Sequence, residues 1–359
     1  MIRGIDRFGF YAKLNARIVY YRVLLSIVAP LFARTTTLLF GGDIMLNGIA
    51  PSPKVFANIR PLAAKSDLVF GNLEIPLTSS QTKTSRKSAA ELLKKDQWIL
   101  KANPEHAAFL ANAGINAVSL ANNHAMDYGP GGLSQMTSLL DKNHISHAGA
   151  GLNADQAMQG TVISSKNHKS VSLLSVMGFQ TTGALLKTTP ATLTSPGIGV
   201  LNLKGRMDSK VRSKLTGWIG RAKRKSEFVV VAIHWGVERK SIPNPYQVQL
   251  GRALVDAGAD IVWGNHPHVL QGAELYRGKL IMYSMGNMIS NLPAKGGFIN
   301  DIIDDQGHQK VFFAPTEIRG GQIRTLSGPA RTTATLEMKR LCQLLVKRYP
   351  SPVSTPALK

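Results

Sequence analysis

Residues Ile261–His268 read IVWGNHPH: three apolar residues, then a glycine, an asparagine and two histidines that flank a proline. The residue before a proline is pushed towards extended conformations, which predicts a β or polyproline-like His266. In an extended segment, positions i and i+2 face the same way. His266 and His268 are therefore expected to present two imidazoles to one point, as a metal ion or an anion requires. A polar turn closing a strand would use the same residues. The rest of the chain decides between them.

Four other apolar, β-rich runs stop in the same manner. They are TLLFGGD (ending at Asp43), DLVFGNLE (Glu74), NAVSLANNH (His124) and FVVVAIHWGVE (Glu238, passing through His234). Short continuous apolar runs suit strands buried on both faces, as in layered α/β folds. Open α/β sheets bind ligands at the carboxyl ends of their strands. Five endings that all carry Asp, Glu, Asn or His predict one site assembled there. Gly41 and Gly42 are expected to let the backbone turn as the first of these strands ends.

Helical segments alternate with the runs. NPEHAAFLANAG has Asn103 as cap, Pro104 in the first turn and Gly114 just past the end; NPYQVQLGRALVDAG repeats this with Asn244, Pro245 and Gly258. A strand ending in Asn-His follows each, at Asn123-His124 and Asn265-His266. Asp208–Lys225 reads as a basic helix with a solvated face, feeding the strand of His234. The basic stretch Lys83–Lys95 follows Glu74 and is expected at the rim of the site. Leu336–Tyr349 reads as a helix and the Pro/Ser-rich residues after it as a frayed tail. KNHISH, with His144 and His147, reads as a loop.

The pooled candidates are Asp43, Glu74, Asn123, His124, His234, His266 and His268. Two carboxylates, an amide oxygen and several imidazoles suit divalent ions of the Mn, Fe or Zn class better than Ca or Mg. So many ligands exceed one tetrahedral site, and a carboxylate bridging two ions about 3.5–4 Å apart would use the surplus. Each residue has a plainer role open to it: a loop histidine, a turn asparagine, a carboxylate paired with arginine. In an extended strand Asn123 and His124 would point to opposite faces, so the chain must turn there. Gly129, Gly131 and Gly132 are expected to supply the freedom for that bend.

With 359 residues and 44% hydrophobic content the chain can bury a large core. Its 43 Lys+Arg against 21 Asp+Glu give a formal charge of +22, which implies polyanionic surroundings. Cys342 is the single cysteine, excluding an intramolecular disulfide and a thiolate zinc site. Residues 1–34 look like an address: Arg3, Arg7, Lys13, Arg17 and Arg22 precede the apolar run VLLSIVAPLFA, Val23–Ala33. That run is short for a bilayer span and lacks a clean cleavage site, so signal peptide and uncleaved anchor both stay open. Either places the body outside the cytoplasm by the positive-inside rule. A cytoplasmic protein with a basic amphipathic arm is the alternative.

The stretches GGDIML, GNLEIPLT, SLANNHAMDYGPGGL, HWGVE with NPYQVQLGRAL, and GADIVWGNHPHVLQGAELYRGKLIMYSMGN lie across about Thr35–Asn291. In these motifs and their order the sequence resembles the CapA family of bacterial capsule and poly-γ-glutamate synthesis proteins, which are similar to calcineurin-like metallophosphoesterases. The resemblance implies an α/β fold, a four-layer α-β-β-α sandwich of two mixed sheets, over residues 35–330. A segment 331–359 with the last helix and tail would follow. It also implies Asp43, Glu74, Asn123, His234, His266 and His268 as ligands of divalent metal ions, with His124 as proton donor beside them. Catalytic phosphoesterases of this fold usually carry a histidine two residues after the first Asp. Met45 stands there, which implies fewer protein ligands at one metal. Met288 replaces the usual aromatic after Gly286-Asn287 and is expected to alter a pocket wall.

Two functions follow as expectations. One is metal-assisted hydrolysis or transfer at a phosphate, ester or amide, with His124 protonating the leaving group. The other is non-catalytic: a membrane-associated binder of an acidic capsule polymer or its precursor, acting at the membrane surface with polymer synthase components. Nucleic-acid binding would explain the charge and leave the histidine clusters without a role; no nucleic-acid partner is expected.

Overall fold

Leu38 and Phe40 of strand β1 (Thr36–Ile44) pack into one apolar cluster, and Leu39 between them packs into another. A strand buried on both faces must be apolar without alternation, which is why the five runs read as continuous. The computed structural model describes residues 35–95, 97–179, 188–202, 207–350 and 353–358. The amino-terminal address lies outside the described residues. Among the described residues no helix is long and apolar enough to cross a membrane.

After β1 come β2 (Leu68–Leu73), β3 (Ala117–Ser119), β4 (Ser146–Ala148), β5 (Ala150–Gly151), β6 (Thr161–Ser164) and β7 (Ser170–Phe179). Next are β8 (Gly197–Ile198), β9 (Val200–Asn202), β10 (Phe228–Trp235), β11 (Ile261–Asn265), β12 (Ala273–Tyr276) and β13 (Lys279–Met282). The last are β14 (Asn287–Ile289), β15 (Ala294–Ile303), β16 (Gln309–Arg319), β17 (Gln322–Thr325) and β18 (Val353–Ser354). One sheet runs β17-β16-β15-β1-β2-β3-β4 with β14 also beside β1; the other runs β18-β12-β13-β11-β10-β7-β6 with β9 beside β7. The central strands are parallel in each (β1 to β4, and β7, β10, β11, β13), and antiparallel strands flank them. Both sheets are mixed.

The two sheets meet face to face. Leu38, Phe40 and Phe70 from the first share a cluster with Val230, Ala232 and Trp263 from the second. On the outer face of the first sheet, Leu39, Val69 and Val118 pack against Leu110, Leu133 and Met136 of the helices His106–Asn112 and Gly129–Lys142. Outside the second, Val229, Val231 and Val262 pack against Trp218 and Leu250 of the helices Ser209–Lys223 and Pro245–Asp256. This is the four-layer α-β-β-α sandwich. Full burial of each large apolar side chain contributes about 1.5–3 kcal/mol. Trp263 adds a directional tie, because its indole N–H donates to the Gly41 carbonyl across the sheets at 2.8 Å. That bond holds the end of β1 against the end of β11.

Helix punctuation works largely as the sequence suggests. Asn244 closes a capping box with Gln247, and Gly258 takes φ +110° past the helix end. Asn103 does not cap the helix itself: it accepts from the Glu105 N–H at 2.8 Å in the turn ahead of it, and the helix begins later than expected, at His106. The basic helix buries Leu215, Trp218, Ile219 and Ala222 and turns Lys210, Lys214 and Arg221 outward, a solvated face. The last helix is longer than expected, Gly328–Arg348. A frayed tail was expected, but among its described residues Val353 and Ser354 pair with β12 and Leu358 is buried in the intersheet cluster. His147 belongs to β4 and not to a loop; His144 sits in the turn before it.

Candidate functional site

Asp43, Glu74, Asn123, His234, His266 and His268 come from five different strand ends and converge where the two sheets open. Asp43 and Glu74 are fully buried and His234 almost so. Glycine at position 42 serves a close approach and not the expected turn, since β1 runs on through Asp43. A Cβ at Gly42 would lie 1.9 Å from the Gly286 carbonyl oxygen, which accepts from the Asp43 N–H at 3.0 Å. Met288 is no pocket wall either. It is buried in the apolar cluster outside the first sheet, with its sulfur against Gly41. Met45, in the usual histidine position, is half-buried.

The opening stretch reaches convergence by another route than expected. His266 is not extended: its φ is +101°, and His268 takes φ +57°. The strand ends at Asn265, and left-handed residues on either side of Pro267 swing both rings inwards. Such a conformation costs roughly 1–3 kcal/mol in a residue other than glycine, so its surroundings must hold it. The His266 N–H donates to Asp43 Oδ2 at 3.2 Å, and His268 Nδ1 lies 3.1 Å from the same oxygen and 2.9 Å from Asn287 Oδ1. The His234 and His266 ring centroids are 4.6 Å apart, those of His266 and His268 5.9 Å.

On the other side His234 Nε2 is 2.8 Å from Asn123 Oδ1 and 3.4 Å from Glu74 Oε1. Asn72, which the sequence reading passed over, donates to Asp43 Oδ1 at 2.8 Å and lies 3.3 Å from His234 Nδ1. Donor atoms of Asp43, Glu74 and His234 fall within 4.8 Å of one another, as do those of Glu74, His266 and His268. Glu74 is common to both groups. Both Glu74 oxygens and His266 Nδ1 are buried without a hydrogen-bond partner. Buried polar atoms left unpaired cost about 1–3 kcal/mol each, more when charged. Carboxylate and imidazole donors aimed at one small volume therefore fit a divalent cation.

Electrostatics agree with that fit. Burial and the nearby Glu74 charge push the Asp43 carboxyl up, with His268 offsetting part of the effect. Burial also raises Glu74, but His234 and His268 outweigh it and hold the carboxyl below its usual range. Burial would lower His268, yet Glu74 and Asp43 carry it to about 10. Burial and the His234 charge leave His266 well below its ordinary value. Imidazole coordinates only when neutral, so the proton on His268 is what a bound cation would displace.

His124 stands beside this cluster. The turn that separates it from Asn123 is made by Asn122, whose Oδ1 accepts from the His124 and Ala125 N–H groups at 3.2 and 2.9 Å. Asn122 Nδ2 in turn donates to the Leu73 carbonyl at 2.9 Å, fixing the turn to β2. The glycines expected to make this bend lie instead in the helix Gly129–Lys142. His124 Nδ1 is 2.7 Å from Asp127 Oδ2, which leaves Nε2 as the nitrogen open to chemistry. Asp127 was within reach of sequence reading as the fourth residue of HAMD. Lys87, buried against this pair, was legible only as part of a basic run.

A family model described as "Bacterial capsule synthesis protein PGA_cap" matches residues 37–292. The chain belongs to this PGA_cap family. Members of known pathway resemble it: it is 32% identical over 258 residues to the PGA biosynthesis protein CapA of Bacillus subtilis, covering 70% of this chain. The alignment spans 62% of that relative, less than two thirds of its length. Capsule biosynthesis protein CapA of Bacillus anthracis is 29% identical over 299 residues, covering 82% of this chain and 67% of the relative. A probable polyglutamine synthesis accessory protein of Mycobacterium tuberculosis is 25% identical over 232 residues, 65% of this chain and 58% of its own. Among solved structures, a protein described as a novel phosphatase from Mycoplasma pneumoniae gives a TM-score of 0.48 at 13% identity, covering 84% of this PGA_cap chain and 98% of that one.

Proposed function

We propose that this PGA_cap protein is an extracytoplasmic, metal-dependent hydrolase or transferase acting on a phosphate, ester or amide in capsule or poly-γ-glutamate-like polymer biosynthesis. The observation that carries the chemistry is the set of unpaired buried donors around Glu74, next to a histidine held through one ring nitrogen. Asp43, Glu74, Asn123, His234, His266 and His268 would hold ions of the Mn, Fe or Zn class, two of them if Glu74 serves both groups. Such ions, when bound, act as Lewis acids at a phosphoryl or carbonyl oxygen. Asn72 orients Asp43, and Asn123 turns its amide oxygen to the ring of His234. Asp127 fixes the tautomer of His124, whose Nε2 would pass a proton to the leaving group. The polymer pathway is supported by the capsule and PGA biosynthesis proteins it resembles, and polyanionic partners by the charge of +22.

Full-length protein loaded with Mn, Fe or Zn is expected to turn over an activated phosphodiester or to cut poly-γ-glutamate, and to stop on chelation. Metal-loaded protein that binds the polymer and turns over neither substrate would overturn the hydrolytic reading. It would favour the non-catalytic role, a membrane-associated binder assisting export or anchoring of an acidic polymer alongside synthase components. The location rests on five basic residues ahead of an eleven-residue apolar run. Protease added to intact spheroplasts should digest the body from Thr35 onward; protection until lysis would place it inside.

A further inference from the structure

Lys87 has no surface of its own: its side chain is completely buried, and so is that of Asp127 to within 1%. Its ammonium reaches Asp127 Oδ1 at 2.5 Å, the Trp98 carbonyl at 2.7 Å and His124 Nδ1 at 3.3 Å. The second Asp127 oxygen accepts from the Leu100 N–H at 2.7 Å while it holds His124. Thr84 N–H donates to the Asp127 carbonyl at 2.8 Å. Three groups from the segment 84–100 thus converge on the one carboxylate-bearing residue that orients His124.

This segment also rests on Leu100, which packs against the apolar cluster on the outer face of the first sheet. Its helix, Ala89–Leu93, buries none of its residues, Leu93 is 84% exposed and Trp98 53%. Lys83 just before it and Arg86, Lys94 and Lys95 on it are exposed, so Lys87 is the lysine of this basic run that turns inwards. A buried ammonium is retained only when fully paired, and removing one partner of such a pair strands the other charge. Burial pushes Lys87 below its ordinary range, and the Asp127 carboxylate beside it opposes that.

We propose that Lys87 is a positioning residue, clamping Asp127 and thereby His124 only while the segment 84–100 is seated on the site. This rests on His124 being the proton donor. The clamp couples the basic rim of the site to its chemistry: lifting the segment withdraws Lys87 and the Leu100 N–H together and frees the Asp127 carboxylate to rotate. His124 then loses its fixed ring orientation while the metal donors keep theirs.

The test compares full-length, metal-loaded wild type with Lys87→Met, Lys87→Gln, Asp127→Asn and the Lys87→Met/Asp127→Asn pair. Misplacing a catalytic group by about 1 Å costs on the order of 100-fold. Lys87→Met is expected to lower kcat about 10–100-fold with KM and metal content unchanged. The double variant should be no slower than Asp127→Asn alone, because the two residues act as a unit. Amide exchange at Leu100 and Thr84 should accelerate in both lysine variants. A wild-type kcat, a change confined to KM, or losses that multiply in the double variant would each overturn the proposal. Should wild type turn over no substrate, the hydrolytic reading fails by itself. Leu100 exchange and the ¹⁵N signals of the His124 ring then decide the role of Lys87. Faster exchange with a mixed His124 tautomer supports it, and unchanged exchange with an unchanged tautomer removes it. If Lys87→Met does not fold, Lys87→Gln, which keeps a hydrogen-bond donor, carries the same measurements.

Discussion

His124→Ala is expected to keep its metal and lose most of its activity, by about 10²–10⁴ in kcat, the range typical for a missing general acid or base. The geometry separates the two roles at adjacent positions. Asn123 turns its amide oxygen to His234 within the donor cluster, whereas His124 is tied through Nδ1 to Asp127, outside both donor groups. Removing the imidazole therefore takes away a proton carrier and leaves every ligand in place. Where no substrate is in hand, restoration of capsule production in a deletion strain gives the same readout. Loss of metal would make His124 a ligand. Full activity would make it a structural histidine, and full capsule restoration with metal retained and no turnover would shift the weight to the polymer-binding role.

Replacing both His266 and His268 with alanine is expected to remove most bound transition metal while the protein stays folded. Together with Glu74 they form one of the two donor groups, and His266 Nδ1 has no hydrogen bond to lose. The loss of His268 does leave Asp43 Oδ2 and Asn287 Oδ1 without its Nδ1, a cost of about 1–3 kcal/mol. That predicts a lower melting temperature with an unchanged circular dichroism spectrum. The His144→Ala/His147→Ala pair, on the turn and edge strand of the first sheet, should hold as much metal as wild type. Equal metal content in the His266/His268 variant would end the metal reading of this stretch.

The layers of the fold were legible because the cause is local. Residues such as Phe228–Trp235 are buried on both faces, and that burial is written in the run itself as unbroken apolar character. Convergence of the strand ends was legible for the same reason, since each run stops on a polar donor. The path taken at His266 was not. A proline biases the residue before it, but Asp43 and Asn287 lie more than 200 and about 20 residues away in the chain, and their contacts with the following loop outweigh that bias. The turn at Asn122 had a local signal, an asparagine two residues before His124, that glycine-based reasoning overlooked. Lys87 and Asp127 are 40 residues apart, and no spacing rule links a lysine in a basic run to a carboxylate beyond the next strand. Gly42 was singled out for the wrong reason. Its need for a bare Cα comes from the Gly286 backbone, which only the folded chain brings near.

Metal stoichiometry of the full-length wild-type protein tests the central claim most directly. Protein reconstituted separately with Mn, Fe and Zn, dialysed and analysed by inductively coupled plasma mass spectrometry should retain about two ions per chain in at least one case, in line with a two-metal arrangement. Retention of none of the three, by protein shown to be folded, would contradict the account.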